Sequence, residues 1–421
     1  MLLLHILVSN FIFYSCFMNK IAVRIQNKQV GELFFEDRSN RYGFNYTVDT
    51  SPISLIMPYK SSTYLWQDRL HPIFDMNMPE GYLFEILKNY LNKQHGYIND
   101  FLLFSYLCPN IQSRLLFNSE FSDSHFNVID LNEVLQNDSE DTFVKLVRMF
   151  LDKNAISGVQ PKTLALLRDK ESLTTKEYII KTWGAEYPYL AENEYFCLKA
   201  VEKSGVEIPT ILLSDNKRFL LVERFNLDKE SGDYLGFEEV LGLLGKNKEQ
   251  KYDGSYEQIA KVIYRIVADK RKDMQSLYKT IVMSYLLKNG DAHLKNFGVL
   301  YDSDMNNIRF SPAYDVVNTA VYFFSDRPAL SMFGKKVWFP RKDLIKFGID
   351  SCYLSEKNAN IFFDECVLAV EGSIFELQKY IAEYPDFEKI GLRMIDTWNL
   401  SLRNEIHKEV PIEIRRNWNE N

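Results

Sequence analysis

The hydrophobic pattern of the chain changes period along its length. Ile21, Val23 and Ile25 alternate with other residues, which is the strand period. Asn27-Lys28 supplies a turn and Val30 to Phe35 a return strand, so 20–36 predicts a hairpin. A further strand candidate lies at 54–57. Turn residues end the stretch Pro72 to Gly81, and a helical pattern follows at Tyr82-Leu83, Ile86-Leu87 and Leu91. This first unit is expected to end near residue 120, where polar stretches at 118–124 and 137–141 mark a boundary.

From about 142 a second unit begins. Residues 143–151 read as a helix, 156–162 as a turn-rich loop, and 163–167 as a strand. Tyr178-Ile179-Ile180-Lys181 is a short strand ending in lysine. The pattern over 191–204 is helical with Gly205 as C-cap, and 211–213 and 219–222 read as strands. Beyond that the chain turns helical. Ser255 with Gln258 makes a capping-box pattern before Ile259, Ile263 and Val267. Tyr278, Ile281, Val282, Tyr285 and Leu286 share one helical face, and Asn289-Gly290 ends that helix. Residues 356–407 predict further helices. No internal repeat or low-complexity tract interrupts the pattern.

Composition narrows the class. The chain has 421 residues, 46% hydrophobic and 25% charged, enough for two or three domains with buried cores. A formal net charge of -7 argues against a direct nucleic-acid-binding face. Cys16, Cys108, Cys197, Cys352 and Cys366 are dispersed and odd in number, with no CxxC pair, which points away from a disulfide framework and towards a reducing, cytoplasmic setting. Leu2 to Phe17 is mostly apolar, but no Lys or Arg precedes it, no small-residue cleavage site follows, and it is short for a membrane span. Translation is therefore expected to start at Met18, with 1–17 outside the fold and no membrane attachment.

Candidate chemistry lies in the order of the polar residues. Phosphoryl transfer needs a carboxylate to take the proton of the attacking hydroxyl, and oxygen ligands to hold magnesium against phosphates. Asp291-Ala-His-Leu-Lys-Asn296 has the D-x-x-x-x-N spacing of a kinase catalytic loop, although Asn289-Gly290 stands where His-Arg would be. Asp315, 24 residues on after a strand candidate at 308–310, would be the second metal carboxylate. Lys181 ends an apolar strand, as the phosphate-binding lysine of kinases does. Either Glu192 or Glu194, at the start of the next helix, could pair with it. The stretch Leu221 to Phe225 sits where a hinge between lobes belongs. The loop Ser157 to Lys162 has a single glycine and matches neither G-x-G-x-x-G nor a Walker loop. His293 is read as a support of the loop or a phosphate contact rather than a metal ligand. The order loop, lysine strand, glutamate helix, hinge, catalytic loop, metal aspartate is that of a kinase. The fold class read from it is α+β: a bilobal protein-kinase-like fold with a β-rich N-lobe (140–230), an all-helical C-lobe (231–421) and a small N-terminal α+β subdomain (18–125).

These residues resemble the HipA-type toxin serine/threonine kinases of bacterial toxin–antitoxin systems. The matching segments are 156–162, 178–181, 192–195, 222–225, 290–297, 312–315 and 329–336, with 73–75 and 79–81 in the N-terminal unit. The resemblance implies Asp291 as catalytic base, Asn296 and Asp315 as magnesium ligands, and Lys181 on the ATP phosphates. It further implies Glu223 and Phe225 on adenine through their backbones, and Gly158, Gln160 and Lys162 in the phosphate-side loop. It implies a helix-turn-helix, HipB-like antitoxin as partner, with DNA reached only through it, and a protein substrate in translation such as an aminoacyl-tRNA synthetase. Related kinases autophosphorylate a serine within Ser-x-Ser-Gly; here the first position is Ala155 and Ser157 is the remaining candidate. The alternative is a catalytically silent, kinase-like corepressor that binds the antitoxin.

Overall fold

The computed structural model describes residues 20–78, 88, 92, 98–111, 113–119, 128–139, 141–142, 162–168, 175–182, 186–323 and 325–403. Three sheets organise them. The first joins β1 (Lys20–Ile25), β2 (Lys28–Glu36), β3 (Arg41–Tyr46), β4 (Tyr64–Gln67) and β5 (Leu115–Asn118) in the antiparallel order β4-β3-β2-β1-β5. The expected hairpin is β1–β2, turned at Gln26 in the left-handed region. Ile21, Val23, Leu33 and Phe44 are fully buried. Against them pack α1 (Pro72–Asp75) and α2 (Asp100–Leu107), through edge-to-face contacts among Phe74, Phe104 and Phe117. The strand expected at 54–57 is instead a turn closed by Met57 N–H on Ser54 O at 3.0 Å. The reason is tertiary: Ser54 and Leu55 give their donors to the carboxylate of Glu238 rather than to a neighbouring strand. The helix expected from Tyr82 lies largely outside the described residues.

The second sheet has the order β6-β7-β8-β10-β9, with β6 (Val128–Asp130) parallel to β7 (Lys162–Arg168) and the remaining pairs antiparallel. β6 leads into α3 (Leu131–Gln136) and falls between the two polar stretches, 118–124 and 137–141, read as a boundary. β8 is Thr175–Thr182, β9 is Ile211–Leu213 and β10 is Phe219–Glu223. Beneath lies α4 (Leu190–Lys203), stopped by Gly205 at φ +81°. Alternation along β10 sends Phe219 and Leu221 into the core of the first sheet, and Leu220 and Val222 into the core shared with the helices. A strand buried on both faces reads as the continuous apolar run Phe-Leu-Leu-Val.

The C-terminal lobe holds α5 (Val240–Leu243), α6 (Tyr256–Ile266), α7 (Lys270–Leu286), α8 (Arg341–Asp350), α9 (Glu356–Glu383) and α10 (Glu388–Leu402). The Ser255–Gln258 capping box starts α6 as expected. α7 is buried at every residue from Leu277 to Leu286, because α9 and α10 cover it. This helical lobe also carries a small third sheet, β11 (Gly236–Glu239), β12 (Gly298–Tyr301) and β13 (Arg309–Phe310), flanking the loop 290–297. Glu238 of β11 anchors the N-terminal unit here. Buried, its carboxylate accepts from Ser54 Oγ at 2.7 Å, Leu55 N–H at 2.8 Å and Tyr301 OH at 2.7 Å. Arg114 braces the same seam, donating to Ser303 O at 2.9 Å and Pro52 O at 3.0 Å.

Candidate active site

Lys181 stands on β8, pointing away from Tyr178 and Ile180 and towards α4. Its ammonium is buried, and it is held between the carboxylates of Glu194 and Asp315. Burial alone would strip the proton from such an amine, but the two carboxylates outweigh it and hold the Lys181 pKa above its ordinary value. Of the two glutamates the sequence left open, the structure therefore brings Glu194 to the lysine. Glu192, two residues earlier and about 200° round the helix, is buried elsewhere. Its Oε2 has no hydrogen-bond partner among the described residues, and burial pushes its carboxyl up to about 8.

The loop bearing Asp291 and Asn296 leaves α7 by an unexpected route. Gly290 does not supply the left-handed turn; Lys288 does, at φ 58°. Glycine is needed at 290 for space, since a Cβ there would collide with the carboxylate of Asp326. Gly290 N–H donates to Thr319 Oγ1 at 2.7 Å, and that hydroxyl donates in turn to Asp326. Burial pushes the Asp326 carboxyl up to about 6 and pulls the neighbouring Lys288 ammonium down to about 8. The next residue, Asp291, is exposed, and its Oδ1 accepts the Tyr252 hydroxyl at 2.8 Å. A single 3-10 turn, Leu294–Asn296, then follows, with Asn296 Oδ1 accepting His293 N–H at 2.9 Å. The five-residue spacing thus places both side chains on one tight turn.

His293 is buried, its pKa pulled down to about 4 by that burial, so the imidazole is neutral near pH 7. Its ring meets Tyr252 edge-on at 5.2 Å. Asp315 sits in the left-handed region at φ 53°, a conformation Asp tolerates better than most residues. Before it, Tyr314 donates to Lys295 O at 2.6 Å and stacks on Phe225 at 5.4 Å, while Phe225 also packs edge-on against Phe237. This aromatic cluster ties the segment after β10 to the Asp315 turn and the loop 290–297. Glu223 closes β10, and its backbone N–H is taken by Thr210 O at 2.8 Å. Hence of the Glu223 main-chain groups expected at adenine, the donor is already committed.

Ser157, Gly158 and Gln160 lie outside the described residues. Lys162 opens β7 and is paired in register with Lys181. The residues brought together are Lys181, Glu194, Asp315, Asp291, Asn296 and His293. Sequence reasoning missed Tyr252, Thr319 and Asp326, which arrive from loops with no local period to mark them.

The donor set suits a magnesium nucleotide. Among the described residues no cluster of three or more His, Cys, Asp or Glu could hold a metal ion alone. Asp315 and Asn296 offer oxygen ligands, which magnesium prefers, and it usually completes its shell with phosphates and water. Asn296 Oδ1 keeps a second lone pair beyond its bond to His293 N–H. The Nδ1 of His293 is buried without a hydrogen-bond partner among the described residues, an uncommitted polar atom beside these groups.

A β-rich lobe carrying a buried Lys–Glu pair, set on a helical lobe carrying an Asp/Asn loop and a second Asp, is a bilobal protein-kinase-like fold. Residues 154–374 match the HipA-like C-terminal domain and residues 21–111 the HipA N-terminal domain, and the chain belongs to the HipA family. A Haemophilus influenzae protein carrying the name "Putative kinase" is 30% identical over 186 residues, 40% of this chain and 53% of that one. A Sinorhizobium fredii protein, "Putative kinase Y4dM", is 27% identical over 228 residues, 48% of this chain and 54% of that one. The chain spans about half the length of the curated relatives it matches. Among solved structures, HipA in the Shewanella oneidensis toxin–antitoxin complex of HipA, HipB and operator DNA superposes with a TM-score of 0.67 at 16% identity. That match covers 91% of this chain and 96% of that one, and it shows the shared fold.

Proposed function

We propose that this protein is an ATP- and magnesium-dependent protein serine/threonine kinase that acts as the toxin of a toxin–antitoxin pair. The observation that carries this reading is the buried Lys181 held by Glu194 and Asp315, with the Asp315 turn tied to the loop of Asp291 and Asn296 by Tyr314 on Lys295 O and with both Asp291 and Asp315 near His293. Taking an ammonium and two carboxylates out of water is costly, and apolar packing of the same volume would serve stability as well. Bound magnesium would neutralise phosphate charge as the γ-phosphoryl moves. Asp315 and Asn296 would hold it, and Lys181 would give up part of its hold on Asp315 to meet phosphate oxygens. Glu194 keeps Lys181 in place through that exchange. Asp291 accepts the proton of the attacking hydroxyl. The relatives bearing kinase names and the Shewanella HipA fold support the reading. That complex, in which HipA stands with HipB and operator DNA, also supports a HipB-like helix-turn-helix partner and contact with DNA through that partner. We assign the acceptor to a protein of translation, with Ser157 as the candidate for self-phosphorylation. Among the described residues no helix is long and apolar enough to cross a membrane.

The test is transfer of label from [γ-32P]ATP with magnesium, to the protein itself or to proteins of a host lysate. Wild type is expected to transfer and Asp291→Asn to lose at least about 100-fold, the usual scale for a general base. Unchanged growth inhibition by Asp291→Asn in cells would instead support the silent corepressor.

A further inference from the structure

Tyr252 is 40% exposed, yet its hydroxyl is not left to water: it donates to Asp291 Oδ1 at 2.8 Å. A surface tyrosine that met a carboxylate by chance would hang from a loose loop. This one is fixed on several sides. Lys336 Nζ donates to Tyr252 O at 3.0 Å, and Leu294 N–H of the catalytic turn donates to Lys251 O at 3.1 Å. Ser331 N–H reaches Gly254 O at 3.2 Å and Tyr256 N–H reaches Ser331 O at 3.0 Å. The ring packs edge-on against His293, and Lys251 Nζ lies over its face at 5.3 Å.

Asp291 therefore has its main chain and its side chain held separately. On the main-chain side, Thr319 and Asp326 hold Gly290 N–H, one peptide before it, and the Asp291 N–H itself donates to Asn289 Oδ1 at 3.2 Å. From the other, Tyr252 fixes the carboxylate. Asp291 is exposed, so without that donor its carboxylate would turn about two side-chain torsions. With Oδ1 tied, Oδ2 is the oxygen presented to an incoming hydroxyl. We infer that Tyr252 is a positioning residue for phosphoryl transfer, acting through the Asp291 carboxylate. The inference rests on the kinase reading above.

The experiment compares wild type, Tyr252→Phe, and the protein with 4-aminophenylalanine at position 252, which keeps the ring and a donor. The readout is transfer from [γ-32P]ATP to the protein itself and to myelin basic protein. Loss of one hydrogen bond to a charged group predicts a fall in kcat of about 10-fold or more in Tyr252→Phe. KM for ATP should stay within about twofold, and the amino variant should recover most of the rate. A packing role would move KM or stability and would not distinguish the two ring variants. In the resting protein labelled with 13Cζ-tyrosine, the Tyr252 signal, assigned by its loss in Tyr252→Phe, should move in Asp291→Ala. An unmoved signal, an unchanged kcat in Tyr252→Phe, or a faster variant would each overturn the inference while leaving the kinase reading intact. No transfer by wild type would overturn the kinase reading and this inference with it.

Discussion

Glu192 and Glu194 stand two residues apart on one helix, and the same isosteric change should move stability in opposite directions at the two. Glu194 is an ion-pair partner of buried Lys181. Removing one partner of a buried pair costs about 3–5 kcal/mol, and because Asp315 still holds the lysine we expect about 2–4 kcal/mol for Glu194→Gln. Glu192 has no ion pair among those described, and its carboxyl is raised from 4.5 to about 8 by burial. The folded state thus binds this proton more tightly than the unfolded chain does. The native state carries no penalty below the unfolded pKa of 4.5; the penalty grows above it and is complete above about 8. At 1.36 kcal/mol per unit, the ceiling on that penalty is about 2 kcal/mol at pH 6 and about 5 kcal/mol at pH 9. Glu192→Gln removes it, so its gain over wild type should increase between those two pH values. Urea unfolding of both variants at pH 6 and pH 9 decides the matter. A Glu192→Gln gain that is the same at both pH values, or a loss for both variants, would refute the assignment of Glu194 rather than Glu192 to the lysine.

Two further substitutions probe the supports of the site. Gly290→Ala drives a methyl into the Asp326 carboxylate, and overpacking of that kind costs about 1–3 kcal/mol. The expected outcome is a lower melting temperature together with a loss of phosphotransfer larger than that drop explains, read by calorimetry and label transfer. Glu238→Ala leaves Tyr301, Ser54 and Leu55 without their acceptor and takes away one of the two carboxylates near Arg114, the other being Asp304, at about 3–5 kcal/mol. Limited proteolysis should then cut between the N-terminal unit and the helical lobe at a protease dose that spares wild type.

The parts legible in the sequence are those with local causes. Lys181 could be placed because strand alternation sets its direction. Asp291 and Asn296 could be placed because their spacing fits one tight turn whatever surrounds it. The capping box at Ser255 and the stop at Gly205 are equally local. Where the cause is tertiary, the sequence was mute or misleading. Gly290 read as a helix stop, but α7 turns at Lys288, and glycine is required because Asp326, 36 residues away, fills its side-chain space. The choice between Glu192 and Glu194 depends on helix phase, and α4 starts after Tyr189 in the left-handed region, a start without the usual side-chain cap. Tyr252 carries no signal of its own, because its contact with Asp291 exists only once loop 251–256 has been latched to 331–336.

The N-terminal unit belongs to the same mechanical system as the site. β10, which leads into the hinge, gives Phe219 and Leu221 to the first sheet's core and Leu220 and Val222 to the helical core. β8, which carries Lys181, likewise sends Tyr178 and Ile180 into the first core. The strand holding Lys181 and the strand ending at Glu223 are therefore seated on the N-terminal unit, and that unit is tied to the lobe bearing Asp291 by Glu238 and Arg114. A displacement of the N-terminal unit cannot leave the spacing of Lys181 and Asp291 unchanged unless β8 and β10 slip against a close-packed core, which interiors resist. A protein that grips the N-terminal unit thus has a physical route to the site without touching it.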